Sequence, residues 1–453
     1  MIIVLNEVIS KKRIHLIWKL AWPVMLSQIL QTLFEIADMY FISNIGIIEA
    51  VAATGISTSI IGVLIVFSQL IATGTIALIS RKTGENDIDG VLNISKQALI
   101  LAFIIGLILS VLIYIYSQNI INIFKVDKNV EKYALIYLKI VLLSIPFIFL
   151  NLTGRAVLQA QGDAKTPMII FALMNILNII LDPALIYGFL IIPKIGYSGA
   201  AIATATSNII ASFFMLYVIN KKVFNIGLTN IIRNLQINIH IMFRILKIGF
   251  YSAIQAISRP ITGLVMYKIA NYAGTNAVAA FTIGVKMFNL VFIFLTGLNM
   301  SISVLTGQNL GKKDLNTVEE VVKDGLKLAL ANMIVFLIPY FLFAKQLMMF
   351  FTSDISVINI GVNYLRITYV GIVFVIFPIV YGGAFVGAGD TAPPMVASLV
   401  ANWIFKIPFA YIFSEILGIG ANGVWLAISL SVIFEAIIVT VWFKKGKWKC
   451  KEV

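Results

Sequence analysis

The sequence predicts an all-α integral membrane protein: twelve transmembrane helices in two six-helix bundles related by a parallel internal repeat. Three observations carry this expectation. The 453 residues are 60% hydrophobic and only 12% charged, whereas a soluble domain carries about 25% charged residues. The apolar residues fall in long runs, and a run of about 18 or more with few charges reads as a membrane-spanning helix. Loop motifs of the first half also recur in the second at a nearly constant spacing. Length alone would suggest two or three soluble domains, but the apolar runs, with a mean hydropathy of +0.99, overrule it.

Charge breaks and clusters of Gly, Pro and Asn delimit the spans in order. The first, 14–45, follows Lys11, Lys12 and Arg13. The second, 51–79, stops at Arg81 and Lys82, and the third, 91–118, runs into a loop bearing Lys125 and Lys128. Spans 132–160 and 166–189 flank Gly162-Asp163 and Lys165, and 197–220 ends at Lys221 and Lys222. A polar segment, 221–240, with Arg233 and His240, reads as a cytoplasmic linker between an N-terminal lobe, 1–220, and a C-terminal lobe, 241–453. The second lobe holds 241–272, 276–307, 316–344, 358–387, 392–416 and 420–443, followed by a basic tail. Several runs exceed the ~20 residues that cross a bilayer, so tilt or protruding ends are expected.

The net charge of +14 raises the question of nucleic acid. The cations sit mostly in loops, however, where Lys and Arg mark the cytoplasmic side. Counting them puts both termini inside, the loop 119–131 being the exception. Cys450, the single cysteine, excludes an internal disulfide framework. No small-residue cleavage site follows a short apolar core near the start, so no removable signal peptide is expected. HExxH, GxxxxGK[ST] and DDxxD are absent, which argues against an ATP-driven pump, a zinc hydrolase or any other enzyme. No cofactor is expected, and the remaining energy source is an ion gradient.

The repeat is read at an offset of 227. Val51-Ala52-Ala53 falls on Val278-Ala279-Ala280, Gly84 on Gly311, Gly162-Asp163 on Gly389-Asp390, and Pro167-Met168 on Pro394-Met395. Gly196 and Gly199 then fall on Gly420 and Gly423 at 224, so about three residues are missing between. Six spans per half gives both halves the same orientation. Transporters use such repeats because two rigid bundles can rock around a site.

Ionisable residues inside spans are functional candidates, since each costs at least ~2.5–3.5 kcal/mol at a helix centre. The first half carries Glu35 and Asp38 on span 1 and Asp182 on span 5, with Asn178 one turn before Asp182 on the same face. Pro183 disturbs the backbone hydrogen bond near Asn178. A bent helix with a freed carbonyl, an acid and an amide offers oxygens to a small hard cation. It could equally hold a proton. The plainer alternative for Asp38 is an acid reaching headgroup water, and Glu35 shares its face or meets an aqueous vestibule. The second half has Val265 in place of Asp38, and carries Arg259, Lys268, Lys286, Lys406 and Glu435 instead. Lys406 lies near the position repeating Asp182, and Glu435 is a candidate counter-ion for Lys406 or Arg259.

These residues resemble the multidrug and toxic compound extrusion (MATE) family of secondary transporters. The resemblance rests on Pro23 and Asp38 in span 1, Gly46 with Ala50-Val51-Ala52-Ala53, and the loop Gln161-Gly162-Asp163-Ala164-Lys165-Thr166-Pro167 with its echo at Gly389-Asp390-Thr391. Asn178 with Asp182-Pro183 and Gly199-Ala200-Ala201 complete it. It implies a secondary antiporter in a prokaryotic plasma membrane, working as a monomer by alternating access. Drugs or other small amphiphilic compounds would leave in exchange for Na+ or H+. The family's cation site maps onto Asp38, Asn178, Asp182, the Ala200 carbonyl and Thr204, and Pro23 matches a helix-bending proline. Phe34 stands where some relatives have Tyr. Ser258-Arg259 on span 7, with no acid in span 10, resembles the branch related to DNA-damage-inducible protein F. Phe34, Glu35, Arg259 and Lys406 are candidates for the substrate cavity. The rival reading is a lipid-linked oligosaccharide flippase of the same superfamily, holding pyrophosphate on Arg259, Lys286 and Lys406.

Overall fold

A computed structural model describes residues 2–189, 193–224 and 237–451. Arg233 of the expected linker lies outside them. The first half comprises α1 Ile2–Ser43, α2 Ile48–Gly84, α3 Ile88–Asn122, α4 Lys128–Leu142, α5 Ile145–Ala160, α6 Lys165–Tyr187 and α7 Tyr197–Ile219, the last running into a π turn, Asn220–Phe224. The second comprises α8 Ile239–Tyr272, α9 Thr275–Gly311, α10 Leu315–Leu342, α11 Ala344–Phe351, α12 Ile355–Phe374, α13 Ile376–Gly387, α14 Ala392–Ile416 with two π segments, and α15 Ala421–Lys444. Among the described residues, eleven stretches are long and apolar enough to cross a membrane, and the bent pair α4–α5 makes a twelfth. The twelve expected spans are therefore present.

The 51° bend between α4 and α5 has a local cause. Pro146 has no N–H and its ring crowds the carbonyl four residues back. That carbonyl, on Leu142, accepts instead from the Ser110 hydroxyl of α3 at 2.6 Å. A broken span thus keeps its polar group satisfied, as an apolar surround requires.

The repeat reaches down to single backbone joints. Asp87 caps α3 by accepting from the Gly90 N–H, and Asp314 caps α10 by accepting from Thr317. Asp127 and Asp354 cap α4 and α12 in the same way. Each pair stands 227 apart, as do the left-handed residues Asn86 (φ 55°) and Lys313 (φ 60°). Such caps satisfy N–H groups that a helix start leaves open. Asp163 and Asp390 also repeat each other, and each meets a lysine beyond the last helix of its half: Lys222 at 2.6 Å and Lys451 at 3.5 Å. Partial burial pushes the Asp163 carboxyl up. The Lys222 ammonium with the Thr166 hydroxyl and amide outweighs that, and holds it below the usual carboxylate range.

Packing divides the chain into two compact units, Leu26–Gly249 and Met1–Met25 with Phe250–Val453. The expected lobes follow chain order, whereas these units follow contact. Both α1 and α8 therefore divide their residues between the units, α1 just past Pro23. In the Leu26–Gly249 unit, Gly249 faces the Leu70 carbonyl and Gly74 faces the Ile245 backbone, with no room for a Cβ at either. In the other unit, Gly297 meets the Ala21 carbonyl and Met25 in the same manner. Arg13 there pairs with Glu320 at 2.7 Å and with the buried Asp324 at 3.0 Å.

Candidate cation site

The Leu26–Gly249 unit gathers the expected acids in its interior. Asp182 and Ala200 are wholly buried, and Asn178 and Asp38 are nearly so. The four-residue spacing on α6 stacks Asn178 over Asp182. Satisfying both neighbours of its amide orients Asn178 so that Nδ2 donates to Asp182 Oδ2 at 2.7 Å. Its Oδ1 accepts from the Thr204 N–H of α7 at 3.1 Å. In a regular helix that N–H is committed to the carbonyl four residues back, here Ala200, so Asn178 competes with Ala200 for it. The expected donors of α6 and α7 are thereby joined into one hydrogen-bonded group.

Asp38 brings α1 to the same place, as a charged neighbour of Asp182. Two tyrosines close the site, and sequence reading missed both. Tyr137 of α4 lies beside Thr204, and its charged neighbours are Asp38 and Asp182. The Tyr197 hydroxyl, at the start of α7, lies 3.0 Å from the Thr54 hydroxyl, and its ring centroid is 5.8 Å from that of Tyr137. A tyrosine inside a span is common packing, so neither carried a signal. Among the described residues, Asp38 Oδ1 and Asp182 Oδ1 have no hydrogen-bond partner. A buried carboxylate oxygen without a partner is costly unless its charge is neutralised. Carboxylate, amide, hydroxyl and carbonyl oxygens are the donors a hard cation takes, and the orphaned oxygens equally suit a proton. The residues present fit either.

The remaining candidates lie outside this hydrogen-bonded group. Glu35 is exposed and accepts from Gln31 one turn back at 2.8 Å, while its charge neighbours Asp38. Phe34 is half-buried on α1, and Pro23 lies within the same unbroken helix. Arg259 and Lys406 belong to the other unit. There Arg259 lies 3.7 Å from Glu435 Oε1 and over the Phe292 ring, while Lys406 donates to Asn402 Oδ1. Lys268 and Lys286 are exposed, and among the described residues neither forms an ion pair.

The structure also corrects the register of Lys406. Gly196 N–H donates to the Ile186 carbonyl, and Gly420 N–H to the Ser414 carbonyl, both at 3.2 Å. At the same joints Gly199 and Gly423 press on the backbone of the preceding helix. Counting back from these joints, Lys406 stands where the first half has Asn178, and Ala410 where it has Asp182. The missing residues are removed from the loop after the helix, while the π segment Val400–Lys406 widens the helix itself.

Fold and site together define a two-lobed, multi-pass membrane transporter rather than an enzyme. The sequence matches the MatE family twice, over residues 23–184 and 252–412, one match in each half of the repeat. The chain belongs to that family, the multidrug and toxic compound extrusion transporters. It is 30% identical over 444 residues to the probable multidrug resistance protein NorM of Thermotoga maritima, covering 96% of this chain and 93% of that one. It is 23% identical to the multidrug export protein MepA of Staphylococcus saprophyticus, covering 94% and 92%. A solved MATE in the bent conformation superposes with a TM-score of 0.88 at 25% identity, over 96% and 95% of the two chains. A MOP superfamily transporter from Pyrococcus furiosus, described by the reverse polarity of its binding pocket, gives 0.86 at 25% identity over 96% of each.

Proposed function

We propose that this chain exports drugs or other amphiphilic organic compounds across a prokaryotic plasma membrane in exchange for Na+ or H+. Its relatives named for multidrug resistance and export support the substrate class. The observation that carries the coupling is the pair of buried acids, Asp38 and Asp182, each with an oxygen that has no hydrogen-bond partner among the described residues. Bound there, a cation or proton supplies positive charge to two carboxylates that otherwise repel each other. Asn178 orients Asp182 and ties it to Thr204, so α6 and α7 hold one acid in place. Asp38 rides on α1, whose Pro23 leaves the Lys19 carbonyl without its helical donor and so gives α1 a place to bend. Neutralisation draws Asp38 toward Asp182, and bending of α1 passes that change to the substrate path. Alternating access follows if cation and substrate prefer different states, since coupling is a difference in affinity between states. Both termini lie in the cytoplasm in this reading.

The test is gradient-driven dye efflux from vesicles carrying Asp38→Asn or Asp182→Asn. Each variant is expected to insert and fold, and to lose efflux. Full efflux in either would remove that residue from the site. The flippase reading is favoured by one observation, the two cations Arg259 and Lys406 in the second lobe. Loss of lipid-linked sugar translocation in Arg259→Gln, with dye efflux intact, would establish it instead.

A further inference from the structure

In the unit that holds Phe250–Val453, three helices bring polar residues to one place and a fourth adds an aromatic ring. Arg259 of α8 faces Glu435 of α15 and lies over the Phe292 ring of α9. Lys406 of α14 bonds to Asn402, and its charged neighbours are Glu435 and Arg259. Ser258, next to Arg259, accepts from Trp403 Nε1 at 2.6 Å. Glu435 is 8% exposed and Asn402 5%, so the cluster is built into the bundle.

Its charges do not balance: two cations face one acid. The contact of Arg259 with Glu435, at 3.7 Å, is longer than a hydrogen bond, and Glu435 Oε1 has no hydrogen-bond partner among the described residues. The Arg259 side chain keeps 41% of its surface open, so its donors are available to a further acceptor. Asn402 is held from behind, because its Nδ2 donates to the Ser398 carbonyl at 2.7 Å. A planar guanidinium with a nearby ammonium is the usual recognition pair for a carboxylate or phosphate. The rings of Phe292 and Trp403 supply apolar surface beside it.

We infer that Arg259 and Lys406 form a binding site for the anionic head of an amphiphile, a carboxylate or phosphate ester on an apolar tail, with Glu435 holding the site when it is empty. The occupant is either the transported compound or a bilayer lipid. The claim that it is transported rests on the efflux reading, whereas binding stands without it.

The test is binding of dansylundecanoic acid to the purified full chain in phosphatidylcholine nanodiscs, beside a dansyl alkyl trimethylammonium of equal length. Arg259→Gln and Lys406→Met should each weaken the anionic probe by about 10- to 100-fold, the range expected for losing a hydrogen bond to a charged group. Glu435→Gln should tighten it, and none should weaken the cationic probe. Lys406→Arg, which keeps the charge, should restore anionic binding if Lys406→Met has lost it, which separates charge from misfolding. Competition by phosphatidylglycerol that disappears in Arg259→Gln would identify a lipid headgroup as occupant. Its absence would identify a soluble amphiphile, and either outcome upholds the site. Anionic binding unchanged in both Arg259→Gln and Lys406→Met would overturn the inference. Asp182→Asn should lose efflux yet keep anionic binding, so failure of one proposal does not mimic failure of the other.

Discussion

On α6 and α14 the same helical turn is built twice with opposite charge. Asn178 sits one turn before Asp182 in the first half, whereas the matching turn of the second has Lys406 followed by Ala410. The surrounding joints barely differ: paired Asp caps, paired left-handed residues before them, and paired glycines pressed on the preceding helix. Backbone geometry leaves little choice at those positions, since only a short acceptor caps a helix and only glycine fits a close approach. An interior side chain is limited by the chemistry it must perform. The two proposals divide along this contrast, cation chemistry in one half and anion recognition in the other.

The sharpest way to break this contrast is to carry it across. Asn178→Lys copies the second half into the first, placing an ammonium against Asp182, and should abolish cation-driven efflux. Lys406→Asn, the reverse exchange, should leave the cation dependence of any remaining efflux unchanged. Dye efflux measured against sodium and proton concentration reads both. Smaller effects are expected one layer out. Thr204→Ala and Tyr137→Phe each remove a hydroxyl beside the acids, and should raise the cation concentration for half-maximal efflux by about 10-fold, typical of supporting residues around an ion.

Stability tests come next. Gly249→Ala gains at most about 1 kcal/mol in helix propensity. Its Cβ meets the Leu70 carbonyl, and overpacking costs about 1–3 kcal/mol, so a lower melting temperature in detergent is expected. Gly297→Ala should behave alike, because its Cβ meets the Ala21 carbonyl. The smallest effect belongs to Asp163→Asn, worth at most about 1 kcal/mol as a partly exposed pair. The Asp163 carboxyl titrates below its usual range in the folded protein, so its contribution is present above that range and fades as pH falls through the lowered value. Melting curves of the two proteins should differ at neutral pH and converge in strong acid.

Much of this was legible in the sequence, for reasons that particular residues make plain. Long apolar runs disclosed twelve spans because a bilayer demands continuous apolar helix. Asp38, Asn178 and Asp182 stood out because polar residues are expensive there, and α6 places two of them one turn apart. Tyr137 and Tyr197 did not stand out, since their role depends on where the bend at Pro146 and the turn at Gly196 put them. Lys406 was misaligned because counting residues cannot tell a shortened loop from a helix widened by a π turn. The division of α1 and α8 between compact units was also invisible, because it depends on contacts between residues far apart in the chain.

The central claim is that Asp38 and Asp182 hold the coupling cation, and one measurement tests it most directly. Purified protein in liposomes is given a sodium gradient or a proton gradient, one at a time, and dye transport is followed in wild type and in Asp182→Asn. The account predicts that at least one gradient drives transport in the wild type and that neither does in the variant. Transport in Asp182→Asn that still follows the driving gradient at the wild-type rate would contradict it.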